Sequence, residues 1–168
     1  MSRFFKKNEL LKQEISEKYP SAGIFSTPFP EFTIARRDVP TDFENIFYEP
    51  MVILLLQGRK CVIFGEKEYW YGENQHIISI IDMPASSKIV QASHEKPCIG
   101  IALKLNSEII ADFIKGQDNP NFSQALYSPF AICNTDLLLL DAFLRLTFLC
   151  DEKGRKQKYF NFLSQRHF

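Results

Sequence analysis

The chain has 168 residues, of which 45% are hydrophobic and 24% are charged. This length fits one domain with a sizeable core, and the composition is that of an ordinary globular protein. A formal net charge of zero argues against a chain-wide electrostatic surface for nucleic acid or an anionic membrane.

Neither end of the chain predicts a membrane or export segment. Apolar runs stay shorter than the ~18–20 residues of a membrane-spanning helix. Charges interrupt the first twenty residues too often for a signal peptide. We therefore expect a cytoplasmic protein that does not bind a membrane.

The first helix is predicted over residues 8–19, where Leu10, Leu11 and Ile15 follow helical spacing. Asn8 is its expected N-cap and Pro20 ends it. Residues 20–31, rich in proline, predict an irregular extended segment.

Residues 32–105 predict about eight short antiparallel strands. Gly58, Gly65 and Gly72 recur every seven residues, a period that suits strands joined by tight turns. Residues 83–87 are expected to break the pattern. The predicted strands are 32–38, 43–49, 52–56, 61–64, 69–71, 76–82, 88–93 and 98–105. Fully apolar stretches within them indicate a closed barrel or two packed sheets, because both faces must be covered.

Residues 106–168 predict helices. The segment 106–116 has Asn106 as a cap and Gly116 as its end, and a loop with Pro120 and Pro129 follows. The segment 135–152 is the strongest helix, with Thr135 as the expected N-cap. One apolar stripe is predicted to consist of Leu138, Leu139, Ala142, Leu146 and Leu149.

A helix as apolar as 135–152 has more than one face to bury, so we expect it to pack on the barrel and on a second copy of the chain. The expected dimerisation residues are Leu139, Phe143, Leu146 and Leu149. The tail 153–168 combines basic and aromatic residues, a composition found in nucleic-acid patches, but a solvated terminal segment fits the neutral chain better.

The cysteines and histidines do not predict a metal site or a cofactor. Cys61, Cys98, Cys133 and Cys150 form no closely spaced pair, and the three histidines lack ligand spacing. Four residues that could converge, Glu73, His76, His94 and Glu95, are better explained as polar turn residues. No nucleophile-elbow, P-loop or dinucleotide motif occurs either.

What remains is a barrel whose interior could hold one small molecule. Polar or aromatic residues within the strands are the candidates for contacting it. They are Tyr48, Gln57, Lys60, Tyr69, Tyr71 and His76.

An ordered run of short motifs resembles the N-terminal domain of AraC-type transcriptional regulators. The run consists of Tyr48-Glu49-Pro50, Gln57-Gly58-Arg59-Lys60, Gly65, Tyr69-x-Tyr71, Asp82-Met83-Pro84, Ala92-Ser93 and Pro97. The resemblance covers roughly residues 20–150. It implies a cupin-like barrel that senses a small effector, followed by helices that mediate homodimerisation.

We therefore expect one domain, 1–168, of mainly β structure: an N-terminal part (1–31), a cupin-like β-barrel or jelly roll (32–105) and a helical dimerisation segment (106–168). The expected function is effector sensing without catalysis. A regulator of this type binds DNA through separate helix-turn-helix units, which these residues do not contain, so direct DNA binding is not expected. The alternatives are a cupin-type enzyme, such as an isomerase or a metal-dependent oxygenase, and a purely structural interaction module.

Overall fold

The computed structural model describes residues 1–115 and 129–150. Within these ranges the strands are β1 (Gly23–Ser26), β2 (Phe32–Arg37), β3 (Glu44–Tyr48), β4 (Met51–Gln57), β5 (Arg59–Phe64), β6 (Lys67–Gly72), β7 (Gln75–Ser79), β8 (Met83–Gln91), β9 (Cys98–Lys104) and β10 (Phe130–Asn134). The helices are α1 (Arg3–Lys18), α2 (Ser107–Lys115) and α3 (Leu137–Leu149). The predicted mainly-β fold with appended helices is confirmed.

The strands form two antiparallel sheets. One has six strands in the order β1-β2-β9-β4-β7-β10, and the other has four in the order β3-β8-β5-β6. The glycine-punctuated segment supplies β4, β5 and β6, as predicted. β4 and β5 belong to different sheets although only Gly58 separates them, so this glycine is where the chain crosses from one sheet to the other.

The six-stranded sheet is covered on both faces. Its first face packs against α1 and α3 in a cluster that we call the helix-side core: Leu11, Ile15, Phe32, Ile34, Leu54, Leu56, Ile99, Ile101, Leu140, Phe143, Leu144, Phe148 and Cys150. Its second face meets the four-stranded sheet in the inter-sheet core: Tyr48, Leu55, Val62, Tyr71, Ile77, Met83, Ile89, Cys98 and Phe130. Double coverage is why strands such as β4 are apolar throughout.

The predicted start of α1 is wrong. The helix begins at Arg3, and Ser2 caps it by accepting a hydrogen bond from the Phe5 amide at 3.2 Å. Asn8 lies inside the helix, where it is buried and donates a side-chain hydrogen bond to Asn74 in the β6–β7 turn. Asn8, a residue type common at helix N-caps, instead joins α1 to the β6–β7 turn through this hydrogen bond.

Two edge strands were missed. β1 lies in the segment that was predicted to be irregular and pairs with β2, and β10 lies near the predicted loop and pairs with β7. Both are four or five residues long and carry no strong alternation, so it is pairing with a neighbouring strand that defines them.

The predicted break at 83–87 is also wrong, because these residues form the first half of β8. Pro84 is tolerated there since it pairs with Phe47 of β3 on one side, whereas the pairing of β8 with β5 begins only at Ser86. A proline fits a strand where the missing amide hydrogen bond is not needed by a second neighbour.

The predicted cap of α3 shifts by one residue. Asp136 is the N-cap and accepts a hydrogen bond from the Leu139 amide at 2.8 Å, while Thr135 is buried beside His76. The buried face of α3 carries Leu140, Phe143, Leu144 and Phe148, whereas Leu138 of the predicted stripe is 81% exposed. A run of four leucines has no helical period, so it could not fix which face is buried.

The second predicted helix is present as α2, and Asn106 accepts a hydrogen bond from the Glu108 amide at 2.8 Å, as expected of a cap. Gly116, Pro120 and the basic tail 153–168 lie outside the described residues. None of the helices in the described part of the chain is long and apolar enough to cross a membrane.

Candidate ligand-binding cavity

A cavity of about 150 Å³ lies between the two sheets. The six-stranded sheet forms its floor with Thr33, Ala35, Arg37, Ile53, Leu55, Cys98, Gly100 and Ala102. The four-stranded sheet covers it with Lys60 and Ile89, which are register partners on β5 and β8. The site is therefore built from residues that are up to 69 positions apart, from Thr33 to Ala102.

Small side chains create the space in this floor. Gly100 of β9 lies between Ala35 of β2 and Leu55 of β4 in the sheet register. Two residues further along β9, on the same face, Ala102 lies between Thr33 and Ile53. Because the two middle positions have at most one side-chain carbon, the floor is low in the centre and the facing sheet does not fill it.

The opposite face of the same strands is filled completely. On β2, Phe32 and Ile34 point to the helices and are essentially inaccessible, whereas the alternating Thr33, Ala35 and Arg37 retain partial exposure. The tight packing on the helix side and the open space on the inter-sheet side therefore belong to the two faces of one sheet.

Two cationic side chains line one end of the cavity. Arg37 is the register partner of Cys98 on β9, and Lys60 projects from the facing sheet. Burial lowers the pKa of Lys60, Arg37 adds to this shift, and Cys98 and the Glu44 carboxylate oppose it. Neither cation forms a hydrogen bond or a salt bridge with any described residue. The end of the cavity therefore carries two positive charges, and the Glu44 carboxylate, which is not among the lining residues, acts on Lys60 through its charge without a direct ion pair.

The thiol of Cys98 lies in the same environment. Burial raises the pKa of Cys98, and Lys60 and Arg37 both act to lower it. The mutual influence of the three groups indicates that they share one end of the cavity.

Three of the predicted contact residues lie in the inter-sheet core beside the cavity and do not line it. Tyr48 and Tyr71 are buried, burial raises the pKa of each, and neither hydroxyl has a hydrogen-bond partner among the described residues. Tyr69 packs on Phe130 with ring centroids 5.0 Å apart. Of the six predicted residues only Lys60 lines the cavity.

The remaining two candidates have structural partners elsewhere. The side-chain amide of Gln57 donates a hydrogen bond to the Pro97 carbonyl at 2.9 Å. His76 Nδ1 lies 3.0 Å from Thr135 Oγ1, next to the β7–β10 pair, and burial lowers the pKa of His76. Neither side chain lines the inter-sheet cavity.

Arg37 and the small residues of β2 and β9 were missed from the sequence. The signal was present in Cys98, Gly100 and Ala102, which alternate with the bulky Ile99 and Ile101. Alternation of small and bulky residues indicates which face of a strand borders open space, but this requires knowing that both faces are buried.

The predicted dimerisation residues separate into two groups. Leu139, Leu146 and Leu149 on α3 retain partial exposure, although Leu139 and Leu146 also pack against the helix-side core. Phe143 is 1% exposed in the helix-side core, so in this arrangement it offers no surface to a partner.

Five residues of the sequence signature border a second site, a wide polar cleft of about 950 Å³ at the α1 end of the sheets. Signature residues that border it are Gln57, Gly58, Arg59, Ala92 and Ser93. Gly58 has φ +94°, and a side-chain carbon there would lie 2.8 Å from the Gln91 carbonyl oxygen. The Gln-Gly pair of the signature therefore has a structural reason, since it permits the close approach of the β4–β5 turn to the end of β8.

No group of three or more His, Cys, Asp or Glu side chains is placed to hold a metal ion within residues 1–115 and 129–150.

Comparison with known proteins identifies the family. The family described as AraC-type transcriptional regulator N-terminus matches residues 28–166, and no curated protein matches. Two similar solved structures are apo and unsaturated fatty acid-bound ToxT from Vibrio cholerae, the apo form being a point variant. Each has 9% sequence identity and a TM-score of 0.49. This chain is covered to 81% and 80%, and it spans about half, 53%, of each of those chains. Since the family match extends over most of the sequence, the chain belongs to the family of AraC-type transcriptional regulator N-termini.

Proposed function

We propose that this domain senses a small organic effector, which binds in the cavity between the two sheets. The observation that supports this most directly is the low floor of Ala35, Gly100 and Ala102 beside two cations that form no hydrogen bond or ion pair with the described residues. Small-molecule sites are typically apolar with a few convergent polar groups. Membership of a family of regulator N-termini gives such a cavity a signalling role.

The strands offer a route from the cavity to the helices. β2 and β9 present Ala35 and Gly100 to the cavity and Ile34 to the helix-side core through their opposite faces. An effector that binds one arrangement of these strands more tightly than another shifts the population of that arrangement. A shift in the sheet would then change how α1 and α3 pack on it.

The test is a thermal-stability screen of the purified chain against a broad panel of metabolites, repeated with an Ala102→Leu variant that fills the cavity. A ligand at one hundred times its Kd stabilises the protein by ~2.7 kcal/mol, so at least one compound should raise the Tm of the wild type and lose its effect in the variant. Ala22→Leu, at an exposed position before β1, is the matched control. A panel without any stabilising compound, or equal stabilisation of Ala102→Leu, would contradict the proposal.

We also propose that the outward face of α3 joins two copies of the chain. It carries the exposed Leu138 and Ala142 with the partly exposed Leu139, Leu146 and Leu149 flanking them, an apolar surface of the kind that interfaces cover.

Sedimentation velocity tests the dimer. Ala142→Glu places a charge at the centre of this face with little change in helix propensity, so it should convert a dimer to a monomer and lower the Tm only by the stabilisation that association contributed. Ala22→Glu should leave the mass unchanged. A wild-type chain that is monomeric at all accessible concentrations would exclude this interface.

Finally, we propose that the domain acts in the cytoplasm, without catalysis and without contacting DNA itself. The family description, which is of regulator N-termini, supports this. The purified chain should show no salt-sensitive binding of duplex DNA in a fluorescence-anisotropy titration, and tight binding would refute it.

A further inference from the structure

The two cations at the end of the cavity differ from the other basic residues near them. Arg36, the neighbour of Arg37 on β2, donates hydrogen bonds to Asp38 Oδ1 at 2.9 Å and to the Tyr19 carbonyl at 3.1 Å. Strand alternation sends Arg36 to the helix side and Arg37 to the inter-sheet side. One arginine is fully engaged within the protein, and the next projects into an apolar space with its donors unused by the described residues.

Lys60 adds a second positive charge at the same end. Its register partners are Ile89 of β8 and Tyr71 of β6, neither of which carries a negative charge. No carboxylate is among the described residues that line the cavity, and the exposed Glu44, which lies outside the lining, acts on Lys60 only through its charge. Two like charges that face a space of low polarity repel each other and lose hydration, and a bound anion offsets both costs. Arginine and lysine are also the residues that form charge-assisted hydrogen bonds with a carboxylate.

The rest of the lining indicates the chemistry and size of the remainder of the ligand. Away from the cations the walls are hydrocarbon, with Ile53, Leu55 and Ile89 around the alanine–glycine floor. The volume of about 150 Å³ equals that of a known engineered cavity that binds benzene. The space therefore fits one ring or a short branched chain, and a long unbranched chain exceeds it.

We infer that the cavity binds a compact carboxylic acid, with its carboxylate between Lys60 and Arg37 and a hydrocarbon body of about one ring on the floor formed by Ala35, Gly100 and Ala102. This inference rests on the proposed sensing function and specifies the chemical class of the effector.

Isothermal titration calorimetry with benzoate as the probe tests the class. Benzamide and benzyl alcohol have a similar shape without the charge, and dodecanoate has the charge with a longer body. We expect one benzoate per chain, bound at least about tenfold more tightly than any of the other three. Preferred binding of a neutral probe would contradict the inference that the ligand is an anion. Preferred binding of dodecanoate would contradict the inference that its hydrocarbon body is compact.

Substitutions identify which positive charges bind the carboxylate. Lys60→Met keeps the length of the side chain and removes its charge, so it should weaken benzoate binding about tenfold or more. It should also raise the Tm of the free protein, because a buried charge that has no ion pair among the described residues is lost. Arg37→Met should weaken benzoate binding to a similar degree. Lys67→Met, at an exposed position at the start of β6, removes the same charge outside the cavity and should leave affinity within about twofold. Equal affinities of Lys60→Met, Arg37→Met and Lys67→Met would contradict the assignment.

The failure of this inference is distinguishable from that of the proposed function. If no carboxylate binds but a neutral compound stabilises the wild type and not Ala102→Leu, the cavity is a sensing site and the anionic class is wrong. If neither carboxylates nor any panel compound bind, both are wrong.

Discussion

Gly58 and Cys98 approach each other so closely that a side-chain carbon on Gly58 would lie 2.9 Å from both Cα and Cβ of Cys98. Gly58 also has φ +94°, a conformation that side chains other than glycine's rarely adopt. The contact joins the point where the chain changes sheets to the cavity-lining end of β9. It places a tight backbone constraint next to Lys60 and Arg37.

Replacing Gly58 by alanine should therefore destabilise the protein by at least about 2 kcal/mol, since it combines left-handed strain with a backbone clash. Gly65, at the β5–β6 turn, has φ +60° with no atom within 4 Å of an added carbon, so Gly65→Ala isolates the strain alone and should cost about 1 kcal/mol. Urea unfolding of both variants measures the difference. Equal losses would show that the contact with Cys98 relaxes without cost.

The cap of α3 gives a second prediction. Asp136→Ala removes the acceptor of the Leu139 amide hydrogen bond and should lower the free energy of unfolding by about 1 kcal/mol. Asp136→Asn keeps a capping oxygen and should lose only a few tenths. Denaturant unfolding compares the two, and an identical loss in both variants would mean that the charge rather than the cap matters.

Asp141 links the two helices that cover the six-stranded sheet. It is buried on α3 and forms ion pairs with Lys7 of α1 and with Arg145 one turn further along α3, the latter at 3.0 Å. Asp141→Asn should lower the free energy of unfolding by about 2 kcal/mol, a loss between the values typical of exposed and of buried ion pairs.

The control for Asp141 is Glu9→Gln. Glu9 pairs with Lys12 at 3.2 Å but its side chain is 51% exposed, so the same carboxylate-to-amide change should cost less than about 0.5 kcal/mol. A loss at Glu9 as large as that at Asp141 would show that burial does not set the strength of these pairs.

His76 predicts a dependence of stability on pH. Burial lowers the pKa of His76 in the folded protein, and Asp136 opposes this only in part, so the unfolded chain binds the proton more readily. The contribution to stability is complete above the unfolded value of about 6.5 and is lost as the pH falls through the lower folded pKa.

Thermal unfolding between pH 7.5 and 5 measures this effect. His76→Gln should flatten the decrease in Tm toward acid. A wild-type slope retained in His76→Gln would assign the acid sensitivity to other groups.

Local chemistry made much of the fold predictable. Gly58 and Gly65 mark the ends of β4 and β5 because only glycine tolerates their backbone conformations without strain. The cap at Asn106 depends on a hydrogen bond to an amide two residues away. Features of this kind are decided within a few residues, so the strand-rich segment and the helices after it could be placed from the sequence.

Other features depend on partners that are distant in the sequence. β1 and β10 are strands because β2 and β7 offer them edges to pair with. Asn8 is an interior helix residue because Asn74, 66 positions away, accepts its hydrogen bond. The buried face of α3 follows from where the sheet lies, since its leucines alone favour no side.

The sequence by itself determined a mainly-β chain with a regulator-type signature and included Lys60, which lines the cavity, among its candidate contact residues. Only the tertiary structure decided that Lys60 and Arg37 line the same cavity, because the two side chains come from facing sheets. Whether two such side chains line one cavity depends on strand register and sheet packing. The pattern along each strand shows only which residues share a face. The physical reason is that a site between two sheets requires space between them. Small residues such as Gly100 leave this space, and the residues that enclose it are far apart in the sequence.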